Sequence, residues 1–451
     1  MAVEHASKTT QKSLLSVAVV TGLLFGGSFH AAKASELLTD LNGLAGLSQY
    51  QQLKASNTPA AVARMSIADD AVSGGADATE AYIMRRIQEL AETEDNAELK
   101  ALLASATTDE QAAHLAGELT PDRSGANIYG VIQAQDLFTN TLRKRTSDYI
   151  LGDSARTSVW ATYLSSDYEM PISSDGANRF DGFDATFSGA AFGFEKILSA
   201  DTIMGVAFSQ QQVKSTSRLY NNKTDIDSYQ AALYATTTLS DWYFSGRSVV
   251  GWNANTTDRA IGESSGYDGK TDAKARYNSH NFALQLDVMY PIYWQEFALL
   301  PTVSAGYTWV KAEDYAENYI RDFNKKGELE RSSGSPAALA YDEQSYQEMN
   351  LGLGLEAAHS FYFDYGVIQT RLGASATFEM LDDELTTTAH LVSGGDNFTV
   401  GVSEREDTRY QAYASLLWET NGSFSWSLTA EREWDDKAEN MMFYGRAVYS
   451  F

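Results

Sequence analysis

The sequence contains no cysteine and only six prolines among its 451 residues. The absence of thiols excludes disulfide bonds and is compatible with export to an oxidising compartment, although it does not require it. Aromatic residues make up 12% of the chain. Many aromatic side chains with little proline favour a protein rich in β-structure over a disordered chain.

Basic residues are scarce, with 34 lysines and arginines against 60 acidic residues and a net charge of −26. This balance argues against a nucleic acid partner, which would select a basic surface. The few histidines lack the spacing of metal ligands. We therefore expect no metal and no cofactor. The histidines are at positions 5, 30, 114, 280, 359 and 390.

Long hydrophobic runs are missing except for residues 14–29, "LLSVAVVTGLLFGGSF". Lysines precede this run, and an A-x-A arrangement ending at Ala34 follows it, which predicts a signal peptide over residues 1–34. A membrane-anchor helix is the alternative, but the run is short for a span and contains glycines. No other segment resembles a transmembrane helix. A membrane-embedded mature protein must therefore be a closed β-barrel.

The residues after this leader show helical patterns. Strong helix formers with apolar residues near helical spacing occupy residues 78–94, 96–106 and 108–119, within a predicted helical segment over 35–121. Residues 122–156 contain a further helix that ends in the basic cluster Arg143, Lys144 and Arg145. Basic side chains suit the C-terminal end of a helix.

From residue 157 to residue 451 the pattern changes to alternation with period two. In "NFALQLDVMY", residues 281–290, Leu284 and Leu286 share one face while Gln285 and Asp287 share the other. A soluble β-sandwich also alternates, but its strands usually have about five or six residues. The runs here are longer, as in tilted strands that cross a bilayer.

The alternation predicts twelve antiparallel strands. The connections after strands two, four, six, eight and ten are short, whereas those after strands one, three, five, seven and nine are longer and polar. Sorting of loops by length between two rims is typical of an outer-membrane barrel. The predicted strands are 157–167, 184–195, 201–212, 227–239, 242–255, 276–290, 297–310, 345–358, 365–379, 407–419, 423–433 and 441–451.

Charged residues on these strands lie on the face opposite the apolar band. In a sandwich they would face solvent, but in a barrel they line a wet lumen. There they can pair with one another and with a helix in the lumen, for which the basic cluster at 143–145 has the right sign to meet the carboxylates. The predicted lumen-facing charges are Arg247, Asp287, Glu356, Arg371, Glu379, Glu419, Glu431 and Arg446.

Residues 100–451 resemble the translocator domain of autotransporters, the proteins of type V secretion. The resemblance rests on twelve C-terminal strands, a last strand ending in Phe451, and the helical lead-in "LASATTDEQAAHLAGELTPDRSGANIYGVIQAQDLFTNTLRKR" before the first strand. It implies a transmembrane β-barrel of twelve antiparallel strands with a helix, here within 122–156, threading its lumen.

The resemblance also implies a setting and partners. The barrel, residues 157–451, would lie in a Gram-negative outer membrane, against lipid and lipopolysaccharide, after escort by periplasmic chaperones. The barrel-assembly machinery would recognise the last strand, where Phe443, Tyr449 and Phe451 share one face. The segment before the helix would be carried to the cell surface, although residues 35–121 are far shorter than the usual passenger.

Two other functions remain open at this point. A porin-like channel with a helical plug would show the same strands. An exported esterase would need a nucleophile, for which Ser154 in "GDSA" and Ser264 in "GESSG" are the candidates. The first has no D-x-x-H partner motif, and the second lies in a polar loop rather than at a strand-to-helix elbow. We therefore expect the protein not to be an enzyme.

The terminal strand can be tested directly. We expect replacement of both Tyr449 and Phe451 by serine to block assembly and leave the chain to periplasmic proteolysis, because the last strand would lose its apolar outward face. Quantification of the variant in outer-membrane fractions is the measurement. Outer-membrane levels equal to those of the unchanged protein would show that these aromatic residues are incidental.

Overall fold

The structure, a computed structural model, describes residues 66–152, 157–176, 178–269, 271–317, 321–323, 329–331, 334–381 and 384–451. The predicted signal peptide, residues 35–65 of the predicted helical segment, and Ser154 lie outside the described residues. The statements below concern the described residues.

Five helices precede the barrel: α1 (Ser66–Ser73), α2 (Ala78–Thr93), α3 (Ala97–Ser105), α4 (Asp109–Leu119) and α5 (Ala126–Leu151). Local capping sets their starts. Asp77 and Glu80 form a capping box at the start of α2, and the Thr108 hydroxyl accepts from the backbone N–H of Gln111 at the start of α4. None of the helices in the described part of the chain is both long and apolar enough to cross a bilayer.

Twelve strands form one antiparallel sheet that closes on itself, as the sequence predicts. The first strand pairs with both the second and the last, and the seventh pairs with the eighth, so every barrel strand has two neighbours. The strands are β1 (Ser158–Met170), β2 (Phe183–Ser199), β3 (Thr202–Ser217), β4 (Lys223–Leu239), β5 (Trp242–Ala260), β6 (Asp272–Met289), β7 (Phe297–Ala312), β8 (Gln344–Phe363), β9 (Gly366–Glu379), β10 (Thr408–Thr420), β11 (Phe424–Trp434) and β12 (Glu439–Ser450).

Burial alternates along the strands and identifies the outer face. Leu284 and Leu286 are 41% and 39% exposed, whereas Ala283 and Asp287 on either side of them are buried. The apolar side chains therefore point outward, to lipid. Aromatic pairs mark both ends of this band, as in the girdles of outer-membrane barrels. The pairs include Tyr229–Trp252 and Tyr410–Trp434 towards one rim, and Trp242–Tyr290 and Phe424–Tyr449 towards the other.

The two rims differ in their connections. Between β2 and β3, β4 and β5, β8 and β9, and β10 and β11 the turns have two or three residues, and both the start of β1 and the end of β12 lie at this short-turn rim. The predicted turn at 359–364 is mostly strand, because Phe363 pairs with Gly366. The prediction from alternation failed there because aromatic residues occupy both faces of the strand at the membrane boundary. The long-loop rim carries the connections 171–182, 218–222, 261–271, 313–343, 380–407 and 435–438.

Helix α5 lies inside the barrel. Twenty of its 26 residues are buried, and its apolar residues belong to one core with inward-facing residues of the strands, such as Val213 and Ile226. The helix begins after Gly125, whose φ of 71° is left-handed, and a Cβ atom there would lie 2.8 Å from Val402. Glycine at this position therefore permits the turn that brings the chain into the lumen.

Residues 66–121, which we call the cap, pack on the long-loop rim. The loops there form a second sheet of four short strands, Tyr315–Ala316, Leu339–Tyr341, Thr386–Leu391 and Phe398–Gly401. Ile83 and Leu115 of the cap share a buried core with Leu339 and Leu391 of this sheet. This contact between cap and loops has no counterpart in the sequence pattern.

The face assignment can be tested with two neighbouring residues of β7. Val303 is 54% exposed on the lipid face. Ser304 lines the lumen and lies in register with Asp287. We expect Val303→Arg to destabilise the barrel by roughly 2–4 kcal/mol, because it places a charge near the bilayer midplane. Ser304→Arg should cost much less, and urea unfolding in lipid vesicles measures both. Equal costs would contradict the assigned faces.

Candidate functional site

The barrel lumen is the candidate functional site, because charged side chains converge there on one helix. The eight lumen-facing charges predicted from the sequence all occupy inward-facing strand positions. Six of them are buried, whereas Glu379 and Glu419 near the strand ends are half-buried. Asp148 of α5 lies among three arginines near the short-turn rim. The arginines come from two distant strands and from the helix itself.

Asp148 holds in place the end of α5 that lies near the short-turn rim. Its carboxylate accepts from Arg371 Nη1 on β9 at 2.8 Å and from Arg446 on β12, and it lies 3.4 Å from Arg145 Nη1. All three carboxylate–arginine pairs have side chains that are at most 12% exposed. Three cations around one buried carboxylate stabilise its charged form. Glu356 lies 3.6 Å from Arg371 and extends the network along β8.

Lys144 joins the helix to β11. Its ammonium group forms a buried ion pair with Glu431 and lies 4.1 Å from the centre of the Tyr413 ring. Arg143 donates to Gln411 Oε1 at 2.5 Å and lies 3.9 Å from Glu431. Two residues of the basic cluster therefore meet the carboxylate on β11, one as a direct hydrogen-bonded partner and one at longer range.

The third basic residue, Arg145, contacts a carboxylate that the sequence analysis missed. Arg145 Nη2 lies 2.6 Å from Glu195 Oε2 on β2, and the other Glu195 oxygen accepts from Tyr234 at 2.8 Å. The missed signal is the alternation in "FGFEK". Phe192 and Phe194 are exposed on the lipid face, so the next residue, Glu195, must point inward.

The other predicted charges have partners within the barrel wall or near the strand ends. Arg247 and Asp287 form a two-point pair between β5 and β6, with contacts of 2.6 and 3.3 Å. Glu379 accepts from the Tyr346 hydroxyl at 3.1 Å. Glu419 lies beside Gly152, directly after α5. The first two of these sites therefore lie within the wall, whereas Glu419 lies at the end of the helix.

A second ionic cluster lies nearer the long-loop rim. Arg409 of β10 pairs with Glu348 of β8, and Arg405 Nη2 lies 3.3 Å from Glu433 of β11. Sequence reasoning missed Arg405 because it falls in the loop before β10, where no alternation defines its direction. The cluster ties three strands together on the side of the lumen that α5 leaves open.

Uncharged polar side chains fix the half of α5 that lies nearer the long-loop rim. Asn440 of β12 donates to Gln133 Oε1 at 2.9 Å, and Asn281 of β6 donates to Gln135 Oε1 at 2.7 Å. Gln211 of β3 donates to the carbonyl oxygen of Ala134 at 2.7 Å. These partners come from three separate parts of the wall, so the helix is held from several sides at one level.

A polar cavity of about 120 Å³ remains beside the helix. Its helix side includes Asp136, Asn140 and Arg143, and its wall side is formed by residues of β6 to β11. A space of this size holds about four water molecules at roughly 30 Å³ each, which is too little for a second polypeptide. The lumen in this state therefore accommodates one helix and water.

The cap is joined to the barrel by buried polar contacts at the mouth. Asp77 Oδ2 accepts from Arg123 Nη1 at 2.6 Å and from the backbone N–H of Arg179 at 2.9 Å. Arg259 of β5 donates to the carbonyl oxygens of Glu118 and Thr120 at 3.1 and 2.9 Å. Side chains and backbone of the cap are thus fixed to the loops and strand ends around them.

Titratable groups at this mouth have shifted pKa values. A hydrogen bond of 3.0 Å to Glu118 raises the pKa of His114. Burial, together with the nearby Asp122, raises the pKa of Asp181 to about 6. Asp181 accepts from the backbone N–H of Leu219 at 2.9 Å and so joins two loops of the rim. Mildly acidic pH therefore favours the packed mouth.

Neither a metal site nor a nucleophile elbow is formed by the described residues. No group of three or more histidine, aspartate or glutamate side chains there is arranged to hold a metal ion. Ser264, the second esterase candidate, is exposed in a turn of the loop between β5 and β6. That turn joins two strands, whereas a nucleophile elbow joins a strand to a helix.

Comparison with known proteins agrees with this geometry. The structure resembles the translocator domain of autotransporter NalP from Neisseria meningitidis, with a TM-score of 0.52 and 13% identity over 71% of this chain and 97% of that one. The beta domain of the Bordetella autotransporter BrkA gives a TM-score of 0.46 and 15% identity over 66% of this chain and all of that one.

A curated relative is "Probable outer membrane protein pmp21" of Chlamydia pneumoniae, 35% identical over 95 residues. These residues are 21% of this chain and only 6% of the length of that relative. The family model described as "Autotransporter beta-domain" matches residues 159–431, more than half of the chain. The chain therefore belongs to the autotransporter beta-domain family, as a closed twelve-stranded barrel of the outer membrane.

Proposed function

We propose that the barrel carries its own N-terminal segment to the cell surface and keeps it anchored there. In this proposal residues 1–34 are a signal peptide, 35–121 a minimal passenger, 122–156 the linker through the lumen, and 157–451 the translocator. The observation that carries it is the position of the cap. It lies on the long-loop rim, whereas the first strand begins and the last strand ends at the opposite rim.

The span of α5 supports this arrangement. Its 26 residues extend about 39 Å at 1.5 Å per residue, more than the roughly 30 Å of the hydrocarbon core. Near its start, Asn127 donates to Gln344 at 2.9 Å, where β8 begins at the long-loop rim. At its end, the carbonyl oxygen of Leu151 accepts from Gln369 at 3.0 Å near the short-turn rim. A single helix therefore connects the cap to the opposite rim.

The ionic contacts of α5 favour anchoring over release. Each contact of Asp148 and Lys144 is buried, and removing one partner of a buried pair leaves an uncompensated charge. We expect withdrawal of such a helix from the lumen to be costly, because it separates these buried pairs. We therefore propose that the cap stays attached to the barrel after translocation.

The partners of the folding pathway are part of the same proposal. Phe443, Tyr449 and Phe451 are 47%, 41% and 63% exposed, on or next to the outward face of β12. Before membrane insertion these aromatic side chains are open to the barrel-assembly machinery and to periplasmic chaperones. After insertion the same face meets lipid, with lipopolysaccharide at the long-loop side.

A porin-like channel is the second candidate function, and the polar cavity beside α5 is what favours it. Its volume suits water and small ions, so any conduction with the helix in place is limited. We propose no enzymatic activity for the barrel, because the family is a transport and anchoring fold and neither Ser264 nor its turn supplies a catalytic arrangement.

Surface display can be measured on intact cells. We expect an epitope tag inserted between Glu94 and Asp95, an exposed turn of the cap, to bind antibody without permeabilisation. The matched control is the same tag between Ser240 and Asp241, the turn between β4 and β5 at the short-turn rim. It should bind only after permeabilisation. Labelling of the control and not of the cap would reverse the proposed orientation.

The anchoring contact can be measured separately. We expect Asp148→Ala to destabilise the protein by about 3–5 kcal/mol, because Arg371 and Arg446 lose their shared buried carboxylate. The folded, fast-migrating gel band should then convert to the unfolded band at a lower temperature. Lys311→Ala, which removes an exposed ion pair with Glu343, should change stability by less than about 1 kcal/mol. Equal conversion temperatures for both variants would rule out an anchoring role.

A further inference from the structure

Helix α5 fills the lumen unevenly. Its apolar side chains share one core with many wall residues, which include Val213, Ile226 and Val249 of β3 to β5. Polar residues of the helix, among them Asp136 and Arg143, border the cavity along β6 to β11. A plug that closed the lumen alone would have to contact the wall on every side. The cavity marks where a polar path next to the helix would run.

Small residues line the wall of this path. Gly352 of β8 lies in register with Ser304 of β7, and Gly354 lies between Thr302 of β7 and Ser375 of β9. All of these residues border the cavity. Because these positions carry little or no side chain, the wall leaves the space beside the helix open at their level, whereas Gln411 reaches Arg143 elsewhere along the cavity.

The cap lies over the long-loop end of this path. Its contacts reach five of the six connections at that rim, so it spans the mouth and cannot sit to one side of it. The contacts are Thr79 to Asn178 in 171–182, Glu80 to Tyr220 in 218–222, Glu118 to Gly262 in 261–271, the shared core with Leu339 in 313–343, and Arg86 to Asp396 in 380–407.

The fit between cap and loops is close. A Cβ atom added at Gly117 of α4 would lie 2.0 Å from the Tyr220 ring, so glycine lets the helix pack directly against this ring in its present position. The Glu118 carboxylate accepts from the backbone N–H of Gly262 at 2.6 Å. Leu102 and Leu115 are fully buried in the core that the cap shares with the loops. No such packing is needed merely to display a helical segment.

We propose that the cap is a seal, which closes the polar path beside α5 to ions and small solutes at the mouth of the barrel. This function is separate from surface display and holds for either orientation of the barrel. The helix blocks most of the lumen, and the cap blocks the remainder. A loosened cap therefore opens the path while the barrel and the helix stay folded.

The absence of cysteine allows a reversible test. The hydroxyl oxygens of Ser105 in α3 and Ser265 in the 261–271 loop lie 2.6 Å apart, so Ser105→Cys with Ser265→Cys can form a disulfide with little backbone movement. The cap is loosened in the same full-length chain by Asp77→Asn and Glu118→Gln, which weaken its buried contacts. Glu89→Gln, at an exposed pair within α2, is the matched control.

Single-channel conductance in planar bilayers is the readout. We expect a several-fold rise in the loosened, reduced protein, a return to the conductance of the unchanged protein on oxidation, and a rise again after reduction. Glu89→Gln should conduct like the unchanged protein. Equal conductance of loosened and unchanged proteins, in both redox states, would overturn the proposal.

If the loosened chain does not assemble, the proposal is tested with the two cysteine substitutions alone, in an otherwise unchanged sequence. Urea below the concentration that unfolds the barrel should raise the conductance of the reduced form and leave the oxidised form unchanged. An equal response of the two forms would overturn the proposal. Failure of surface display leaves both readouts unaffected, because they depend on the seal alone.

Discussion

The pairing of β1 with β12 is the constraint on which the rest of this structure depends. Lipid offers no partner to a backbone N–H or C=O group, so a sheet in a membrane must close. The twelve register pairs from Ser158–Ser450 to Glu169–Glu439 accomplish this. Closure then assigns one face of every strand to lipid and the other to an enclosed lumen. That division accounts for apolar bands outside and for charged and amide side chains inside.

A wet lumen in turn determines what kind of helix can occupy it. Helix α5 is not amphipathic in the usual sense, because it is surrounded by wall on most sides and carries apolar residues, amides and charges together. Each polar group finds a partner on a particular strand, as Lys144 does with Glu431 and Gln133 with Asn440. The position of the helix is therefore specified at several levels, from the cap to the short-turn rim.

Period-two alternation made much of this predictable. It gave the number of strands, the sorting of loops, and the inward direction of residues such as Asp287 and Arg371, because a barrel strand has only two faces. The prediction failed where residues do not alternate between an apolar and a polar face. Aromatic residues at the membrane boundary hid the end of β8, and Arg405 lies in a loop without alternation. The contacts of the cap with five loops depend on tertiary packing, which leaves no periodic signal in the sequence.

The central claim is that α5 lies within the closed barrel of the folded protein. Cross-linking in isolated outer membranes tests it most directly, because introduced cysteines are the only thiols in the chain. Gln133→Cys with Asn440→Cys should form a disulfide, since the two side chains meet at 2.9 Å inside the lumen. Gln133→Cys with Met441→Cys should not, because Met441 faces lipid on the same strand. Cross-linking of neither pair, or of both equally, in a correctly assembled barrel would contradict the account.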